Sequence, residues 1–111
     1  MTPATAEYAN PGPTRAEIDA LPGPTLLEFG VPWCPHCQAA QPIIKAALER
    51  KPNVRYLKVE DGEGRALGRS FQVKLWPSLI FLKDGHEVSR VVRPLSREPL
   101  DQALVQITAN P

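Results

Sequence analysis

Cys34 and Cys37 are the only cysteines in the 111-residue chain, and they fall within one run, Trp33-Cys34-Pro35-His36-Cys37. A bond between residues three apart closes almost no loop, so it would take little entropy from the unfolded chain and stabilise little. What remains for the pair is chemistry at sulfur: reversible dithiol–disulfide exchange, or half of a metal site. Zinc needs two further good ligands, and outside the motif only His86 offers an imidazole, so a metal reading calls for carboxylates or a second chain. Exchange needs only the two thiols. One, Cys34, is expected to be exposed and of lowered pKa, so that it attacks or is attacked; the other, Cys37, is expected to be more buried and to resolve the mixed disulfide. No metal is expected.

That chemistry requires an element that ends, and another that begins, at Cys34. Thr25-Leu26-Leu27-Glu28-Phe29-Gly30, bounded by Pro24 and Pro32, reads as a strand buried on both faces that carries one charge, Glu28. After Cys37, Ala40, Ile43, Ile44, Ala47 and Leu48 recur with helical spacing, with Gln38, Gln41, Lys45 and Glu49 between them. A helix therefore runs from the motif to about Arg50, with Pro42 expected to kink it. The first turn of such a helix presents unpaired N–H groups and a partial positive charge, which favour a thiolate at Cys34. Pro35 suits the first helical position, where its missing N–H is no loss. Cys34 then falls at or beside the N-cap, and Cys37 lies one turn in.

The other elements follow from periodicity and punctuation. Residues 1–13 read as a flexible or edge lead-in to a domain over 14–111. Thr14-Arg15-Ala16-Glu17 has the pattern of a capping box opening a helix to about Ala20. Val54–Val59 reads as a second strand, Glu63–Arg69 as a short helix and Pro77–Leu82 as a third strand. Asp84-Gly85 is the turn of a hairpin into a fourth strand over Glu87–Val92, antiparallel to the third. Ser96 is expected to cap a last helix to about Ala109 that buries Leu100, Ala103, Leu104 and Ile107. The order is αβαβαββα, an α/β fold with a central mixed β-sheet flanked by helices.

Composition narrows the partners. A chain of 12.2 kDa with 42% hydrophobic and 23% charged residues has room for one core, and a net charge of +1 leaves no basic excess for phosphates or anionic lipid. Neither nucleic acid nor a membrane is an expected partner. Residues 1–13 lack a basic leader and an apolar stretch of signal length, so a cytoplasmic, reducing setting is expected; a periplasmic one would need a leader beyond these residues. The 13 prolines, more than twice the usual share of about 5%, divide into a set around the motif (Pro35, Pro42, Pro77) and boundary residues such as Pro22, Pro24 and Pro94.

From about Thr14 to the last helix the chain resembles the thioredoxin superfamily. Trp33-Cys34-Pro35-His36-Cys37 is similar to the family's WCxxC, Glu28 lies six residues before the first cysteine where a buried acid is usual, and Pro42 matches the helix-kinking proline. Trp76-Pro77 is similar to the cis-proline loop, and Phe81-Leu82-Lys83-Asp84-Gly85 to the turn after it. The resemblance implies a thioredoxin-like fold and a protein thiol-disulfide oxidoreductase that works as a monomer and needs no cofactor beyond a Cys34–Cys37 disulfide. It also implies a cis Pro77 facing that disulfide, with Trp76 offering backbone hydrogen bonds to a substrate strand. Protein disulfides or dithiols would be the substrates, and a thioredoxin reductase the reductant. Glu28 reads either as a proton acceptor for Cys37, its pKa raised by burial, or as a structural acid paired with Lys58.

Four departures bear on specificity. Pro35-His36 is the dipeptide of the bacterial periplasmic oxidases rather than Gly-Pro, and an imidazole beside Cys34 favours thiolate over disulfide; otherwise His36 is a solvated turn residue. The expected potential lies between about −270 mV, that of thioredoxin, and about −120 mV, that of the periplasmic oxidase. Gly30 stands where an aromatic residue is usual, Arg93 where the substrate groove has glycine, and Trp76 is bulkier than the residue usual before the proline. Trp33, Trp76, Pro77 and Arg93 are the expected substrate-binding residues, with Lys74, Arg90, Arg93 and Arg97 either a basic rim or a solvated face. The alternatives are net disulfide oxidation or isomerisation, and a non-catalytic adaptor that binds through Trp33 and Trp76.

Overall fold

The computed structural model describes residues 7–109. Its elements are α1 (Arg15–Asp19), β1 (Pro24–Gly30), α2 (Pro35–Glu49), β2 (Arg55–Glu60), α3 (Ala66–Ser70), β3 (Ser78–Lys83), β4 (His86–Val92) and α4 (Glu98–Thr108). The strands form one mixed sheet in the order β2-β1-β3-β4: β1 and β2 are parallel, and β3 runs antiparallel to both β1 and β4. β1 and β3 are central and therefore apolar on both faces, as their unbroken runs require.

Alternation along these strands divides the core in two. Leu26, Leu79 and Phe81 meet Ala40, Ile44 and Ala47 of α2 and Leu100, Ala103, Leu104 and Ile107 of α4. Leu27, Phe29, Ile80 and Leu82 face the other way, onto Ile18 of α1 and Leu67 and Phe71 around α3. Glu28 shares the phase of Leu26, so its side chain enters the α2 layer, from which Gln41 reaches it. α2 continues through Pro42.

Thr14 closes its capping box with Glu17 in both directions. In the hairpin, Asp84 and Gly85 both take positive φ, at 51° and 80°, the signature of a type I′ turn. β3 begins at Ser78 rather than Pro77 and extends to Lys83, and β4 begins at His86.

Two helix starts differ from expectation. α3 begins at Ala66, not Glu63, because Gly62 and Gly64 hold φ of 134° and 79°, which no right-handed helix accommodates. α4 begins at Glu98 with Arg97, not Ser96, as its N-cap; Pro99 in its first turn has no N–H for a capping side chain to accept. Asp101 instead takes the Arg97 guanidinium at 3.0 Å.

Of the lead-in, residues 1–6 lie outside the described residues. Ala9 lies along the outer edge of β2, donating to the Lys58 carbonyl at 2.8 Å and accepting from the Glu60 N–H at 3.0 Å. This bridge brings Tyr8 to the end of the sheet where β1 gives way to α2. Among the described residues, no helix is long and apolar enough to cross a membrane.

Candidate active site

β1 ends at Gly30, and the chain turns through Val31, Pro32 and Trp33 into Cys34, whose extended backbone (φ −86°, ψ 118°) makes it the N-cap of α2. Pro35 occupies the first turn, as its fixed φ favours. Cys34 Sγ accepts the backbone N–H of Cys37 at 3.2 Å, so a free helix-terminal donor is spent on sulfur. Both cysteines are free thiols. Cys34 is only 5% exposed, less open than its nucleophilic assignment suggested, because Val31 and Trp76 close over it; Cys37, at 1%, is the deeper of the two. The Cys37 thiol is pushed up to about 12, first by burial and then by the neighbouring Cys34, against the opposing effects of the Val31 backbone and the nearby Tyr8 hydroxyl.

Glu28 is completely buried. Its carboxylate accepts hydrogen bonds from the hydroxyls of Tyr8 and Tyr56 and from Gln41 Nε2 at 3.0 Å, as a buried charge requires. Burial, then the Glu28 carboxylate, holds both tyrosines well above the ordinary phenol range, so both remain donors. Lys58 is the register partner of Glu28 on β2 but does not pair with it directly. Its ammonium donates to Gln41 Oε1 at 2.9 Å and lies 4.4 Å from the centre of the Tyr8 ring. Gln41 thus stands between acid and lysine, and it also donates to the Cys37 carbonyl at 2.9 Å. Burial lowers the Lys58 pKa, against the opposing pull of Glu28 and Cys37.

The space above Cys37 exists because residue 30 is glycine. A Cβ there would stand 2.7 Å from Cys37 Sγ and 2.9 Å from the Tyr8 hydroxyl oxygen. Tyr8 fills from the lead-in the volume that a side chain at position 30 would take. A cleft of about 490 Å³ runs past Tyr8, Gln41 and Lys58 to Cys37.

Around Cys34 lies a second group. Trp33 is 70% exposed and meets Trp76 edge to face at 5.8 Å, while Trp76 Nε1 donates to Asp61 at 2.8 Å. Gly68 leaves room for that carboxylate, since a Cβ would stand 2.0 Å from Asp61 Oδ1. The Trp76–Pro77 peptide is cis, and Pro77 is buried. Arg93 holds a left-handed φ of 50° and donates through Nε to the Trp76 carbonyl at 2.8 Å, occupying the acceptor expected for a substrate strand. His36 is exposed in the first turn of α2.

The four basic residues do not form a free rim. Arg90 is bound to Glu87 at 2.6 Å and to the Phe71 carbonyl, Arg97 to Asp101, and Arg93 to Trp76, leaving Lys74 exposed. His86 begins β4 opposite Lys83, which pairs with the start of β1; it lies at the far end of the sheet from the cysteines and cannot complete a zinc site with them. No cluster of three or more His, Cys, Asp or Glu among the described residues is placed to hold a metal ion.

Sequence reasoning brought out Cys34, Cys37, Glu28, Trp33, Trp76, Pro77 and Arg93, and the fold gathers them at one end of the sheet. It missed Tyr8, Gln41, Tyr56 and Asp61. Only the unusual Gly30 hinted at the first of these, as a vacancy that another side chain must fill.

The Thioredoxin family pattern matches residues 14–106. The chain is 33% identical over 84 residues to thioredoxin H-type 1 of Nicotiana tabacum, covering 76% of this chain and 66% of that protein, so it spans just under two thirds of that relative's length. It is 31% identical over 88 residues to a thioredoxin of Mycobacterium tuberculosis, covering 78% and 76%. Among solved structures, thioredoxin 2 of Pseudomonas aeruginosa in its reduced form superposes with a TM-score of 0.84 at 55% identity, covering 94% of this chain and 96% of that one. With its cysteine pair at the start of α2, its buried acid on β1 and a mixed sheet between two helical layers, the chain belongs to the thioredoxin family, whose members are disulfide oxidoreductases.

Proposed function

We propose that this chain reduces disulfides in other proteins, with Cys34 as the attacking thiolate and Cys37 as the resolving thiol. The observation that carries the reading is the capping contact: Cys34 Sγ already accepts a helix N-terminal N–H, the interaction that stabilises charge on sulfur, while its neighbour is kept protonated by burial. Cys34 sulfur attacks one sulfur of the substrate disulfide, the S–S bond breaks, and the other substrate sulfur leaves as a thiolate that takes a proton. Cys37 then loses its proton and attacks Cys34 Sγ. The Cys34–Cys37 disulfide forms, the second substrate sulfur leaves, and two electrons have passed from protein to substrate.

Glu28 accepts the Cys37 proton; Trp33, Trp76 and Pro77 position the substrate; Pro35 and His36 tune the couple. Every one of these residues comes from one chain, which suits a monomer, and a thioredoxin reductase in a reducing compartment would return the electrons. An exposed imidazole in the first turn of α2 supports a potential above that of thioredoxin.

Insulin disulfide reduction by dithiothreitol tests the reading. The wild type should accelerate it, Cys34→Ser should abolish the acceleration, and Cys37→Ser should accumulate a mixed disulfide with substrate. An unaffected Cys34→Ser would leave only partner binding through the two tryptophans. Equilibration in glutathione buffers should place the potential above thioredoxin's about −270 mV; a value at or below it would remove the role given to His36.

A further inference from the structure

The proton path from Cys37 has a link that the pairing of thiol and carboxylate leaves out. Tyr8 donates its hydroxyl proton to Glu28, and the same oxygen faces the Cys37 thiol across the gap above Gly30, with hydroxyl and sulfur both within 2.9 Å of the point where a Cβ would stand. We propose that Tyr8 is a catalytic residue that relays the proton between Cys37 and Glu28, admitted to the site by the absence of a side chain at residue 30. This rests on the oxidoreductase reading above and adds a residue to its resolving step.

The relay balances without a further reactant. The Cys37 S–H proton passes to the Tyr8 oxygen as the Tyr8 O–H proton passes to the Glu28 carboxylate. Tyr8 ends neutral, Cys37 becomes the thiolate that attacks Cys34 Sγ, and Glu28 becomes a neutral acid. The cleft past Tyr8, Gln41 and Lys58 offers solvent a way to collect the proton afterwards. Tyr8 suits a relay rather than an acid in its own right, because burial and Glu28 keep it from ionising. The groups facing it are Cys37 from α2, Glu28 from β1, and Lys58, 4.4 Å from its ring centre, from β2; Glu7 and Glu60 line the same cleft. Tyr56 bonds the other Glu28 oxygen, Oε1, and leaves Oε2 to Tyr8 and Gln41.

The experiment isolates resolution. Reduced protein is mixed with dithionitrobenzoic acid: the first thionitrobenzoate released reports attack by Cys34, and the second reports attack by Cys37 on the mixed disulfide. Tyr8→Phe keeps the ring and removes only the hydroxyl. Its second release should slow by about a hundredfold at neutral pH, the lower end of what positioned proton transfer contributes, while the first release is unchanged. The loss should shrink as pH rises, because hydroxide then substitutes for the relay. The double variant with Glu28→Gln should be no slower than Glu28→Gln alone, since both break one path. Gly30→Ala, which drives a methyl group between hydroxyl and thiol, should show the same steepened pH profile and serves if Tyr8→Phe folds poorly. A Tyr8→Phe profile identical to wild type, or a loss of equal size at every pH, overturns the relay. If Cys34→Ser itself turns over insulin normally, the oxidoreductase reading falls, and the relay falls with it.

Discussion

Glu28 shows how much one buried residue asks of its surroundings. A carboxylate taken wholly out of water costs several kcal/mol unless donors replace its hydration, and three come from three segments: Tyr8 from the lead-in, Tyr56 from β2 and Gln41 from α2. The acid is thus held beside Cys37 by hydrogen bonds to neutral groups, and the nearby cation Lys58 is kept a residue away by Gln41. Arg93 poses a different question. A non-glycine residue at φ 50° bears about 1 kcal/mol of backbone strain, and here its side chain covers the Trp76 carbonyl. Arg93→Gly should relieve the strain and free the carbonyl for an incoming strand. The expected result is a several-fold lower KM in insulin reduction with little change in kcat; an unchanged KM would mean that this carbonyl takes no part in docking.

At the scale of elements, the site is a junction between a strand that cannot continue and a helix that starts on a cysteine. Pro32 ends the ladder of β1, Pro35 begins α2, and Cys34 between them can cap with sulfur alone. The β3–β4 hairpin holds the far end of the same sheet. There, Gly85 has φ 80°, and a Cβ would lie 2.0 Å from the Asp19 carbonyl oxygen, an atom of main chain that cannot swing aside. Gly85→Ala should therefore cost about 2 kcal/mol or more, lowering the melting temperature by about 10 °C, while thiol exchange per folded molecule stays at the wild-type rate. A melting temperature within a degree or two of wild type would show that the α1–hairpin contact yields easily. The hairpin was legible because Asp-Gly between apolar runs is a local signal. The starts of α3 and α4 were not, because they depend on backbone angles at Gly62 and Gly64 and on a missing N–H at Pro99.

The whole molecule couples its redox state to its stability through protons. Folding raises the pKa of Cys37 from its ordinary 9 to about 12, and raises those of Tyr8 and Tyr56 as well. Above pH 9 the unfolded chain releases protons that the folded chain still holds, so stability is fullest below that value and declines as pH rises. Lys58, lowered by burial, acts in the opposite direction. Of these shifted groups, Cys37 is the one that oxidation removes, since a disulfide sulfur has no proton to release. Urea unfolding at pH 8 and pH 10 should thus show the reduced protein losing more stability than the oxidised one. Equal losses would mean that Cys37 titrates normally in the fold.

The sequence by itself determined the order of elements, the apolar faces of α2 and α4, the two-sided burial of β1, and the placing of the cysteine pair at a strand-to-helix junction. All of these are written in spacing over a few residues, where periodicity and turn chemistry act. Tertiary structure decided what surrounds the pair. Tyr8 reaches Cys37 because Ala9 bridges to β2, some 50 positions along the chain, and because Gly30 leaves a gap; Gln41 separates Glu28 from Lys58; Asp61 braces Trp76; Arg93 covers the carbonyl that Trp76 would offer. Each of these contacts joins residues distant in sequence, and its geometry exists only once the sheet has set its register.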